Sequence, residues 1–161
     1  MSRIDSFIRR LEAQRACLDW AAAEIADKPG IILECGLGNG RTYDHLREKC
    51  PDREIYVFDR EINAHPACVP PADRMLLGEF SDTMPAAARR FAGQAVLVHA
   101  DTGTGDAEKS RARAALWAPH WHAMLAPGGL LLSDQPLTCA GLLEQAPPAE
   151  TGWRYYVFCR Q

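Results

Sequence analysis

The residues best placed to do chemistry begin with Glu34-Cys35-Gly36-Leu37-Gly38-Asn39-Gly40, directly after the apolar run Ile31-Ile32-Leu33. The pattern is a strand that ends in an acidic residue and a turn carrying three glycines. Glycine tolerates positive φ and lets the backbone approach a ligand closely. A helix over residues 41–49 would aim its N-terminal N–H groups into the same space. The chemistry implied is the binding of a nucleotide-like molecule. A further carboxylate, Asp59, with Arg60 beside it, closes the next apolar run, Tyr56-Val57-Phe58. It lies about 20 residues beyond the turn, where this architecture places an acid on ribose hydroxyls. A carboxylate can accept both hydrogen bonds of a diol; the plainer reading of Asp59 is a helix cap or a surface residue. A dinucleotide fingerprint would need its third glycine at position 41, where the chain has Arg41.

The spacing Glu34-x-Gly36-x-Gly38-x-Gly40 resembles motif I of class I S-adenosylmethionine-dependent methyltransferases. The resemblance implies that Glu34 meets the ammonium of that cofactor, directly or through water. It also implies that the N–H groups of the turn from Gly36 through Leu37, Gly38 and Asn39 to Gly40 meet its carboxylate. Gly78-Glu79-Phe80, ending the third strand, is similar to the turn that holds adenine in such enzymes. Asp101, after Val96-Leu97-Val98-His99-Ala100, matches the acidic residue of motif IV. It would face the reacting methyl, favour the cationic sulfur or act as a base. Leu125-Ala126-Pro127-Gly128-Gly129 resembles the turn that precedes strand five in this family. Catechol-type members hold a divalent cation with an Asp after strand four and an Asp-Asn pair after strand five. Asp101 and Asp134-Gln135 are the nearest equivalent here, but Gln replaces Asn and Pro136 follows, so no metal is expected. His99 reads as a packed histidine rather than a catalyst.

These residues need elements to position them. Ile4, Phe7, Ile8, Leu11, Leu18, Ala22 and Ile25 recur at helical spacing, with Ser2 or Asp5 able to cap the start. They predict a long amphipathic helix over residues 1–29. Apolar strand-like runs follow at 31–35, 55–58, 74–77, 95–99, 130–133 and 153–159. Helical stretches fall between most of them, at 42–49, 86–92, 107–117 and 121–125, and Pro119 predicts a break or kink between the last two. Residues 62–73, with Pro66, Pro70 and Pro71, read as an irregular connection. Short continuous apolar strands alternating with helices predict a doubly wound, mostly parallel, Rossmann-like α/β sheet over 30–161, the core of a single domain over 1–161. A complete sheet of the class I methyltransferase type has seven strands and ends in an antiparallel hairpin. After Asp134 the sequence offers only a helix-like segment, 137–145, and one strand. A sheet shortened at the C-terminal hairpin is therefore expected.

The 161 residues carry a net charge of -3 and show no basic stripe, which argues against a nucleic-acid partner. No apolar run approaches the ~20 residues that would span a membrane. Residues 2–10 lack the apolar core of a signal peptide, so a cytoplasmic protein is expected. The reading is an S-adenosylmethionine-dependent methyltransferase acting on a small-molecule acceptor. Arg10, Gln14, Arg15, Tyr43 and His45 are available to line an acceptor pocket. The alternatives are a non-catalytic binder of the same cofactor or its demethylated product, and a nicotinamide-dependent oxidoreductase, against which Arg41 and Glu34 both speak. A short sheet, a long amphipathic helix and the aromatic run Trp153-Arg154-Tyr155-Tyr156-Val157-Phe158 predict a homo-oligomer, a dimer or a tetramer.

Overall fold

The computed structural model describes residues 2–148 and 153–161. Strands β1 (Ile31–Cys35), β2 (Ile55–Asp59), β3 (Met75–Leu77), β4 (Ala95–Ala100), β5 (Leu125–Ser133), β6 (Leu142–Gln145) and β7 (Tyr156–Arg160) form one sheet in the order β3-β2-β1-β4-β5-β7-β6. The first five run parallel, and β7 is antiparallel to both β5 and β6. Helices α1 (Arg3–Glu24) and α2 (Arg41–Lys49) cover one face; α3 (Phe80–Arg90) and α4 (Ala107–Met124) cover the other.

Both faces of the central strands are buried, which is why those strands read as unbroken apolar runs. Leu33, Cys35, Val98, Ala100 and Leu131 pack towards α3 and α4. Ile32, Leu97, Leu130 and Leu132 pack towards α1 and α2 with Cys17, Leu18 and Ala21. The start of α1 is fixed by a capping box: the Ser2 hydroxyl accepts from the Asp5 N–H, and the Asp5 carboxylate accepts from the Ser2 N–H, both at 3.1 Å. The 62–73 connection is irregular as expected, with short 3-10 turns at Pro66–Cys68 and Ala72–Arg74.

Several expectations need correction. The sheet is not shortened: it has seven strands and ends in an antiparallel pair. The segment 137–145, read as helical, instead turns at Gly141, with φ +85°, and enters edge strand β6. Pro119 does not break the helix before the fifth strand, because the two expected pieces are one helix, α4. Pro127-Gly128-Gly129 lies inside β5 rather than ahead of it. It sits where pairing with β4 jumps from Ala95↔Leu125 to Leu97↔Leu130, and a Cβ on Gly129 would come within 2.9 Å of the Ala95 carbonyl oxygen. Helix α3 begins earlier than its pattern suggested, so Phe80 is its first residue.

Candidate active site

β1 and β4 are neighbours in the sheet, but the chain leaves them on opposite faces. That divergence opens a crevice at their carboxyl ends, the usual place for a ligand in an open α/β sheet. A pocket of ≈ 600 Å³ lies there, within the range of small-molecule sites. Gly36, Leu37, Gly38 and Asn39 line it from the β1 turn, Asp59 and Arg60 from the end of β2, Glu79 and Phe80 from the start of α3, and Asp101 from the end of β4.

Two glycines of the turn serve different needs. At Gly36, φ is +102° and a Cβ would stand 2.3 Å from the Asp101 carbonyl oxygen, so the two strand ends can meet only at a glycine. At Gly38, φ is +52° and a Cβ would meet no protein atom within 4 Å, which leaves the approach to ligand.

The Gly38 N–H donates to Asp59 Oδ2 at 3.0 Å, and Asp59 Oδ1 accepts from the Arg60 N–H at 2.7 Å. The carboxylate is thereby fixed at the pocket with acceptor capacity left over. Phe80 is buried and meets Phe58 and Trp117 edge to face, at centroid distances of 6.4 and 6.1 Å. It is a core residue that also presents to the pocket. Glu79 is exposed at the N-cap position of α3.

Three of the residues named from sequence for the cofactor are not on the pocket lining. Gly78 takes φ +144° and donates its N–H to the Asp59 carbonyl at 2.9 Å, so it shapes the turn. Gly40 faces the 62–73 connection, where a Cβ would come within 2.6 Å of the Cys68 Cβ. Its glycine requirement is thus one of packing. Glu34 is fully buried beneath the pocket, where its carboxylate accepts from the Thr42 hydroxyl and pairs with His99 Nδ1 at 2.7 Å. Burial alone would push the His99 imidazole down. The Glu34 carboxylate, with Asp101 and Asp134 behind it, outweighs that and holds it above the ordinary histidine value.

Helix α1 supplies the other wall through Phe7, Arg10, Leu11 and Gln14. Arg10 donates to both Asp101 oxygens at 2.9 and 2.8 Å, and Gln14 Nε2 donates to Asp101 Oδ2 at 2.8 Å. Asp134 accepts from the Thr102 N–H and from Gln135 Nε2 at 3.2 and 2.9 Å. Burial, and then the Asp101 charge, raise its carboxyl above the usual range. Asp101, Asp134 and Gln135 are thus turned to protein partners, and among the described residues no cluster of three His, Cys, Asp or Glu forms a cation site. Tyr43 is buried in the core, and His45 pairs with Asp19 at 2.9 Å. Burial drives the Cys17 thiol up to about 11 and holds the Cys35 thiol well above its ordinary value, so neither supplies a thiolate nucleophile.

Sequence reasoning missed Phe7, Arg41, Thr42, Thr104 and Arg113 as lining residues. The signal for Phe7 was its place one turn before Arg10 and Leu11 on α1. Arg113, on α4, is exposed yet lines the pocket.

A parallel sheet continued by an antiparallel terminal pair, with a glycine-turn pocket at the switch point, is the class I methyltransferase fold. A family model described as S-adenosyl-L-methionine methyltransferase matches residues 1–161, and the chain belongs to that family. The nicotinamide alternative falls with that membership. A crystal structure of an S-adenosyl-L-methionine methyl transferase from Silicibacter pomeroyi DSS-3 is 43% identical, with a TM-score of 0.94 over 100% of this chain and 99% of that one. More distant solved structures share the fold. A putative caffeoyl-CoA O-methyltransferase from Staphylococcus aureus is 10% identical, with a TM-score of 0.58 over 100% and 93% of the two chains. The 1,6-didemethyltoxoflavin-N1-methyltransferase of Burkholderia thailandensis is 17% identical, with a TM-score of 0.52 over 91% and 79%. No curated protein matches the chain. Among the described residues, no helix is long and apolar enough to cross a membrane.

Proposed function

We propose that this methyltransferase holds its cofactor in the crevice at the ends of β1, β2 and β4 and transfers the methyl group to a small molecule entering beside α1. The observation that carries this reading is convergence: the Gly36–Gly38 turn, Asp59, Phe80 and Asp101 come from separate elements and line one pocket. The residues suit S-adenosylmethionine. Asp59 offers acceptors for a ribose diol, the turn offers N–H groups for a carboxylate, Phe80 offers an aromatic surface for a base, and Asp101 offers negative charge for a cationic sulfur. When bound, the cofactor supplies a methyl group already activated by its positive sulfur. The chain's own contribution is position and exclusion of water. Phe7 and Leu11 close one side of the pocket, and Asp101 accepts a proton or charge at its carboxylate.

Asp59→Ala is expected to weaken binding of S-adenosylhomocysteine by about 1–3 kcal/mol, the scale of hydrogen bonds to a charged group. Calorimetry reads this directly, and an unchanged affinity would remove Asp59 from the ribose role. Metabolite extracts incubated with the protein and methyl-labelled S-adenosylmethionine should yield a labelled small molecule. Label appearing only on added protein or RNA would overturn the acceptor class.

Self-association also belongs to this reading, although the complete sheet removes its first support. What supports it now is the row Ile4, Phe7 and Ile8 on α1, which are 72, 46 and 47% exposed. Light scattering at micromolar concentration should give a mass at a multiple of 17.8 kDa; the monomer mass would refute it.

A further inference from the structure

We propose that the methyl acceptor is an anion, a small molecule carrying a carboxylate or phosphate group, and that Arg10 and Arg41 hold it against Phe7 on the α1 side of the pocket. The inference rests on the active-site reading above for where the methyl group lies, and names the substrate class of that same site.

Phe7 and Arg10 are one turn apart on α1, so they share a face, and both line the pocket. The Arg41 guanidinium lies over the Phe7 ring, 5.6 Å from its centroid. Arg41 is the first residue of α2, directly after the glycine turn, so turn and α1 meet across this ring. The amide oxygen of Asn39 is placed to accept from Arg41 Nη1 and Nη2 at 2.8 and 3.2 Å. Two guanidinium groups and an aromatic ring are thus gathered on one wall. From there the space continues into a cavity of ≈ 200 Å³ between α1 and α2, which shares Leu11 and Arg41 with the main pocket.

The protein uses only part of Arg10. Both of its bonds to Asp101 come from Nη2. Its Nε and Nη1 have no hydrogen-bond partner among the described residues, and the side chain is 40% exposed. A guanidinium carries its N–H donors in a planar fork that matches a carboxylate or a phosphate. The Nε–Nη1 edge left over is such a fork, and a bidentate anion is the ligand it suits best. Arg41 makes no ion pair with a carboxylate among the described residues, so its charge is available to the same ligand.

The charge of the pocket points the same way. Arg10, Arg41, Arg60 and Arg113 line it against the carboxylates Asp59, Glu79 and Asp101. S-adenosylmethionine adds a sulfonium and an ammonium for a single carboxylate, so the loaded pocket has surplus positive charge that an anionic acceptor would balance. Asp101 by itself would repel an anion placed near the sulfur. Arg10 removes that conflict: it lies on Asp101 through Nη2 and offers its other edge to the acceptor, bridging the two like charges. The other anion able to reach these arginines is the cofactor's own carboxylate, which the reading above places on the N–H groups of the turn.

Nuclear magnetic resonance of the full chain with ¹⁵N-labelled arginine, saturated with S-adenosylhomocysteine, tests this with simple probes. Benzoate or phenyl phosphate should shift the Nε–Hε signals of Arg10 and Arg41 and saturate. Benzamide, of nearly the shape of benzoate but uncharged, should not bind at the same concentrations. Arg10→Ala and Arg41→Ala should each weaken the better anionic probe about three- to tenfold, the scale of a charge-assisted hydrogen bond. Arg41→Ala should leave the affinity for S-adenosylhomocysteine close to that of the wild type. Benzamide binding as well as benzoate, or neither anion binding, would overturn the proposal. So would S-adenosylhomocysteine displacing the anion, which would assign the two arginines to the cofactor's carboxylate. Failure of S-adenosylhomocysteine to bind would instead count against the active-site reading, and the anionic probes would then be titrated into the free protein, where the same shifts support the arginine site and their absence refutes it.

Discussion

Gly38→Val is expected to fold and to lose measurable binding of S-adenosylmethionine. Gly38 lines the pocket, and a side chain there would meet no protein atom within 4 Å, so the space it fills is ligand space. The cost to folding is limited to the backbone, where φ +52° disfavours a branched residue by about 1–2 kcal/mol. Gly36 and Gly40 cannot be tested in this way. Their added Cβ atoms would collide with Asp101 and Cys68, so binding and folding would fail together. Calorimetry of folded Gly38→Val that returned the wild-type affinity would contradict the assignment of the turn.

Glu34→Leu is expected to cost about 3–5 kcal/mol of stability, because it removes the carboxylate paired with the fully buried His99. For a chain of this size that is a fall in Tm of about 10 °C. The sign of the pH dependence should also invert. In the wild type the folded His99 value lies above the unfolded one. Its contribution is complete below the unfolded value, near 6.5, and is lost as pH rises through the folded value. Stability should therefore decline as pH rises above the ordinary histidine range. Without Glu34 a buried His99 is held neutral and its folded value drops below the unfolded one. Stability should then rise with pH up to the unfolded value, near 6.5, and level off above it. Urea titrations between about pH 5 and 9 read both slopes. A Glu34→Leu variant with wild-type stability and slope would show that the pair carries no ionic interaction.

The parts legible in the sequence were those whose signals are local. A strand, a glycine turn and a helix start are adjacent in the chain, so the Glu34–Gly40 segment and the following α2 could be read directly. Asp59 and Asp101 stood out because each ends an apolar run. The C-terminal hairpin was not legible. β6 is an exposed edge strand of four residues, and half-exposed Leu142 and Leu143 give it no clear alternation. The partner of Glu34 was hidden for a different reason. Glu34 and His99 meet because β1 and β4 pair in one particular register, which no local pattern encodes. One clue was present: Glu34 is the one carboxylate of β1 and His99 the one basic side chain of β4, each next to the last position. The wall made by α1 was likewise only half visible, since an amphipathic pattern shows which face is buried but not that its polar Arg10 and Gln14 reach a strand end.

The account is tested most directly by a crystal structure of the protein with S-adenosylhomocysteine. It predicts the ribose hydroxyls on the Asp59 carboxylate, the adenine against Phe80 and Glu79, and the amino-acid end at the turn between Gly36 and Gly38, with the sulfur on the side of Asp101. The ligand found instead in the groove between α1 and α2, or its ribose away from Asp59, would contradict it.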